Sequence, residues 1–74
     1  MNVTVKLFAT FRVGRFKIDQ RDYPQGITCR EIIADVGISD QEIGIILING
    51  RHATLDARLE EGDTLSLFPL VGGG

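Results

Sequence analysis

Thr64-Leu65-Ser66-Leu67-Phe68-Pro69-Leu70-Val71-Gly72-Gly73-Gly74 closes the chain. Leu65 and Leu67 alternate with Ser66 and Phe68, the period of a strand with one face on a core. Phe68 then projects on the opposite face. Pro69 lacks an amide donor, so the strand is expected to end there. Gly72, Gly73 and Gly74 have no side chains with which to pack a core, and ordering glycine carries the largest backbone entropy loss. Such a run is either a frayed terminus or a segment threaded into a narrow site, and the preceding residues have to decide between the two.

Upstream of it the pattern is that of one small domain. The chain has 74 residues, a net charge of −2 and both signs mixed along its length. A basic face suited to phosphates is absent, which argues against nucleic acid as the partner. The one cysteine allows no internal disulfide and suits a reducing compartment. Without a long apolar block, neither a secretory signal nor a membrane span is expected, and the chain reads as cytoplasmic.

Val3, Val5, Leu7 and Ala9 alternate with Thr4, Lys6, Phe8 and Thr10, so residues 2–11 read as a half-buried strand with Phe8 facing outward. A turn at Arg12-Val13-Gly14-Arg15 leads into a second alternating run, Arg15 to Gln20, with Phe16 and Ile18 expected inward. Tyr23-Pro24-Gln25-Gly26 ends it. Thr28 and Glu31 have capping-box spacing, and Ile27 and Ile32 that of a hydrophobic staple. Ile32, Ile33 and Val36 then share a helix face that Gly37 terminates. Ser39 to Glu42 starts a further short turn. Ile45 to Ile48 reads as a central strand, and Asn49-Gly50 as a type I′ turn into a short edge strand from Arg51 to Thr54. Leu55 and Leu59 bracket a segment expected to plug one end of the core, and a Glu60–Asp63 turn precedes the last strand. The order is strand, strand, helix, strand, short strand, strand, an α+β domain with one helix across one face of a mixed sheet of four to five strands. If the first and last strands are neighbours, Phe8 and Phe68 meet on the uncovered face, and such a patch marks a partner surface.

This order, with Leu7-Phe8-Ala9 and Arg12, Asn49-Gly50, Glu61-Gly62-Asp63 and the Phe68-Pro69 step before terminal glycines, resembles the ubiquitin-like β-grasp sulfur carriers (MoaD/ThiS-like). Within them it is most similar to the small subunit of molybdopterin synthase. It departs from the common pattern in having Leu70 where a second proline often stands, three glycines for two, and His52 on the partner face where an apolar residue is usual. The resemblance implies a β-grasp domain over 1–68 and a flexible glycine-rich tail over 69–74. It implies that an E1-like adenylyltransferase uses ATP and Mg²⁺, as its own substrates, to adenylate the Gly74 carboxylate. A sulfurtransferase then yields a Gly74 thiocarboxylate, which donates sulfur in molybdopterin biosynthesis once the tail enters the synthase large subunit. Gly73, Gly72, Val71, Leu70 and Pro69 would thread the partner's site, and Phe8, Phe68, Arg12 and His52 would contact the partner. No stably bound cofactor, metal or membrane is implied, and the chain would act with enzymes rather than as one. A thiazole or other sulfur pathway, a protein modifier conjugated through Gly74, and a passive β-grasp interaction module remain as alternatives.

Other residues have plainer readings. Cys29 at the helix start is either a nucleophile or a packing cysteine, and no second ligand or base is spaced to help it. His52 reads as a surface strand histidine or a partner contact. Glu60, Glu61 and Asp63 lack the ligand pattern of a calcium loop. Arg12, Arg15 and Arg51 read as surface charge or rim contacts.

Overall fold

The computed structural model describes residues 1–70. Strands β1 (Asn2–Leu7), β2 (Ile18–Asp22), β3 (Ile43–Ile48), β4 (Arg51–His52) and β5 (Thr64–Pro69) form one sheet in the order β2-β1-β5-β3-β4. Helix α1 (Cys29–Val36) crosses one face of it. β1 and β5 run parallel at the centre, and the other pairs are antiparallel. The chain therefore adopts the ubiquitin-like β-grasp fold that the resemblance implied.

The helix is fixed at both ends by local chemistry. The Thr28 side chain accepts from the Glu31 amide, while the Glu31 carboxylate accepts from the Thr28 amide. Together they satisfy donors that the first turn leaves unpaired. At the other end Gly37 takes φ +87°, the left-handed conformation in which a Cβ is strained. Arg15 completes that end, donating to the Val36, Gly37 and Phe11 carbonyls. A cation there also meets the negative end of the helix dipole.

Val3, Val5, Leu7, Leu65 and Leu67 from the sheet and Cys29, Ile32 and Ile33 from α1 are all fully buried. Truncating one of these leucines to alanine is worth about 2–5 kcal/mol in lost burial and cavity formation. Leu59 and Phe11, from the connecting segments, are buried in the same core.

Two expectations are corrected. β1 ends at Leu7 rather than continuing to residue 11, because Ala9 turns to φ +53° and Ala9–Arg12 coils into a 3₁₀ turn. Ala9 is thereby exposed, and Phe11 takes the core position instead. Ile18 is not inward. It pairs with Lys6 on the helix-free face and is 53% exposed. Phe16 precedes β2 and is half-buried at the core's margin, with the Arg21 guanidinium 5.1 Å from its ring centroid. The last strand ends at Pro69, as its missing donor implies. This residue lies opposite Ile43, at a register shift where the ladder asks no regular donor of it.

Candidate functional site

Alternation along each strand sorts the sheet into two faces. With Leu7 and Leu67 buried against α1, the next residues, Phe8 and Phe68, project from the helix-free face. Their rings stack there with centroids 4.2 Å apart and planes 10° from parallel. The parallel pairing of β1 with β5 brings the two rings together. Ile45 pairs with Phe68 from β3 and is 41% exposed. A neighbouring row runs straight across all five strands: Ile18, Lys6, Ser66, Leu47 and His52. The face is thus an aromatic stack extended by Ile45, Leu47 and Ile18, with one lysine and one histidine among them.

Arg12 belongs to this cluster. Its Nε donates to the Leu7 carbonyl oxygen at 2.7 Å, which places the guanidinium carbon 5.3 Å from the Phe8 ring centroid. That position allows a cation–π contact and leaves the remaining donors at the edge of the apolar patch. His52 shares the face but not the cluster. It sits on edge strand β4, opposite Leu47, about 10 Å from Ser66 at the usual strand spacing and farther from Phe68, which lies two residues along β5.

The chain leaves this same end of β5. Pro69 is half-buried, and the Leu70 amide donates to the Glu42 carbonyl oxygen at 3.0 Å. The Leu70 side chain is 64% exposed. Phe68, the stack's second ring, is thus two residues from the point where the paired backbone ends. Val71, Gly72, Gly73 and Gly74, the residues assigned to tail insertion and to the reacting carboxylate, lie outside the described residues.

Cys29 is inaccessible, and burial pushes its thiol up to about 11. A thiol kept protonated and out of contact with solvent is a packing group, not a nucleophile. Among the described residues no cluster of three His, Cys, Asp or Glu side chains could hold a metal ion. Among them, too, no helix is long and apolar enough to cross a membrane. Asp63 serves the scaffold. Its carboxylate accepts from the Asn49 side chain and the Glu60 amide, tying two turns together.

Two features of the site escape the sequence. Ile45 and Leu47 stand there only as part of an apolar run, although period-two alternation with Ile46 and Ile48 puts them on the outer face. Gly44 precedes that run, and a lone glycine in a strand is itself a signal of a bulge or a close backbone approach. Its surroundings fit that signal: a Cβ there would fall 2.7 Å from the Pro69 carbonyl oxygen.

A five-stranded mixed sheet with one crossing helix, and an exposed aromatic pair on its helix-free face, define a ubiquitin-like β-grasp domain. The ThiS family model matches residues 5–74, and the chain belongs to that family. Among solved structures it is similar to a Pyrococcus furiosus protein assigned as molybdopterin converting factor, subunit 1. The TM-score is 0.78 at 28% identity, over 96% of this chain and 99% of that one. It is also similar to small archaeal modifier protein 1 of Haloferax volcanii, with TM-score 0.74 at 25% identity over 95% and 98% of the two chains. The fold is shared with the complex of subunits 1 and 2 of the Helicobacter pylori molybdopterin-converting factor, with TM-score 0.67 at 23% identity over the full length of both chains. No curated protein matches the chain.

Proposed function

We propose that this protein is a sulfur carrier whose Gly74 carboxylate is the reacting group, serving molybdopterin biosynthesis in the cytoplasm as the small subunit of the synthase. An α-carboxyl has a pKa of roughly 3.5, so at neutral pH it is an ionised nucleophile towards the α-phosphate of ATP. Attack by its oxygen in an E1-like adenylyltransferase releases pyrophosphate from Mg²⁺-bound ATP and forms the acyl-adenylate. Sulfide-level sulfur supplied through a sulfurtransferase then attacks the acyl carbon and expels AMP, leaving the thiocarboxylate; if the sulfur arrives as a persulfide, the acyl disulfide first formed is cleaved by a reducing thiol. The carrier docks on the synthase large subunit, inserts its tail and gives up the sulfur. It supplies the reacting terminus and the docking face, and its partner enzymes supply the catalysis.

The observation that carries this reading is the placement of the Phe8–Phe68 stack beside the root of the glycine-ended chain. A partner that covers the stack receives the tail at once. Membership of the ThiS family and the likeness to the Pyrococcus protein support the carrier chemistry and the molybdopterin assignment. The likeness to the Haloferax modifier supports a second reading, in which the same adenylate ends in an isopeptide bond to a target lysine.

The test is reconstitution with the host's E1-like enzyme, ATP and Mg²⁺. Pyrophosphate release that depends on Gly74, followed by thiocarboxylate formation when a sulfur donor is added, is the expected result. Release that persists after deletion of Gly74 refutes the terminal assignment. Lysine-linked conjugates without any thiocarboxylate favour the modifier.

A further inference from the structure

Gly44 lies in β3 between Ile43 and Ile45, where the register with β5 shifts. A Cβ at this position would lie 2.7 Å from the Pro69 carbonyl oxygen, 2.9 Å from its carbon and 3.0 Å from the Leu70 Cα. All three are backbone atoms, so no side-chain rotation relieves the overlap. Two residues earlier, the Glu42 carbonyl accepts the Leu70 amide at 3.0 Å. The Leu70 side chain is largely exposed, so this residue is held by its backbone rather than by packing.

We propose that Gly44 is a positioning residue for the reacting terminus. Its bare backbone lets the chain stay paired to β3 through Leu70, and this pairing sets where and in which direction the last four residues leave the domain. The inference rests on the carrier reading of Gly74. Its consequence is geometric. A tail free from Pro69 onward would reach about 20 Å, whereas four residues beyond an anchored Leu70 reach at most about 14 Å. A partner's active site must then lie within that shorter distance of the docked β3–β5 end. Fewer conformations of the root also leave less entropy to be lost when the tail is threaded.

Three variants test this in the full chain with the host's E1-like enzyme, ATP and Mg²⁺, reading pyrophosphate release as kcat and KM for the carrier. Gly44→Ala forces the strands apart. Leu70→Pro removes the donor to Glu42 along with the leucine side chain, and its demand for an extended preceding residue suits Pro69 in a strand. Leu70→Ala keeps the donor and trims the exposed side chain. Gly44→Ala and Leu70→Pro are expected to lower kcat about tenfold or more, since displacing a reacting group by ~1 Å can cost on the order of 100-fold. KM should change less than kcat because neither substitution removes a side chain of the Phe8–Phe68 face. Leu70→Ala alters a side chain of the inserting tail but keeps the backbone donor, so it should lose less kcat than Leu70→Pro and keep slow amide exchange at residue 70. Amide hydrogen exchange at Leu70 should be slow in the parent and fast in Gly44→Ala. Unchanged kcat in both anchor variants overturns the proposal. So does an equal loss in Leu70→Ala and Leu70→Pro, which would put the effect in the side chain. An unreactive parent overturns the carrier reading instead, together with the role built on it, and is told apart by the parent's own lack of pyrophosphate release.

Discussion

Phe8 and Phe68 stack at 4.2 Å although sixty residues of sequence separate them, and neither ring contributes to the core beneath. The parallel β1–β5 pairing holds the stack on the helix-free face, and Arg12 abuts one of its rings. Aromatic anchors at the centre of a flat apolar patch are where binding energy concentrates. Phe68→Ala is therefore expected to weaken docking to the activating enzyme by about 10- to 100-fold, the range of a hot-spot aromatic. Losing the ring pair itself should lower stability by only about 0.5–1.5 kcal/mol. Titration calorimetry beside urea denaturation separates the two effects. Unchanged affinity with lowered stability would make the stack a structural feature only.

The helix lies on the opposite face, and its cap is an internal control. Thr28→Ala removes the side-chain acceptor of the capping box and should cost about 1 kcal/mol of stability. Affinity for the partner should not move. An affinity loss comparable to that of Phe68→Ala would mean that the partner reads the helical side as well.

Alkaline pH should weaken the fold. Burial pushes the Cys29 thiol from its ordinary 9.0 up to about 11. Burial, reinforced by the hydrogen bond to Asp35, pushes the Tyr23 hydroxyl from 10.0 up to about 12. Between pH 9 and 12 the unfolded chain releases these protons while the folded chain retains them, so unfolding free energy falls as pH rises. This contribution is intact below pH 9. The urea midpoint should accordingly be lower at pH 10.5 than at pH 8, and Cys29→Ala should flatten the part of the slope that starts near pH 9. A midpoint independent of pH across this range would contradict the buried-thiol assignment.

The same burial predicts that Cys29 resists thiol reagents in the native protein and reacts once the protein is denatured. Fast native labelling at neutral pH would reopen the question of a reactive cysteine.

Local signals are the readable ones. Thr28 and Glu31, Gly37, and Asn49-Gly50 each specify their geometry within a few residues, and Asn49 and Gly50 both take the positive φ that a type I′ turn demands. The Ser39 cap and its Glu42 partner likewise form as spaced. What the sequence conceals depends on pairing across the sheet. Ile18 faces outward because an irregular segment, not a tight hairpin, joins β1 to β2, and the register that pairs it with Lys6 reverses its side. The missing donor of Pro69 points to a strand end, and β5 does end there, but the β3 register shift at Gly44 that lets Pro69 pair with Ile43 is not readable from the sequence. Of the site, Phe8, Phe68 and Arg12 are legible by alternation and resemblance. Ile45, Leu47 and Ile18 become visible only with the strand order.

Intact mass spectrometry of the protein from its native host, with thiols protected, tests the central claim most directly. The account predicts a fraction with one oxygen exchanged for sulfur, localised by fragmentation to the Gly74 carboxyl. A terminus that stays unmodified there, and still forms no adenylate when the host's E1-like enzyme and ATP are supplied, would contradict it.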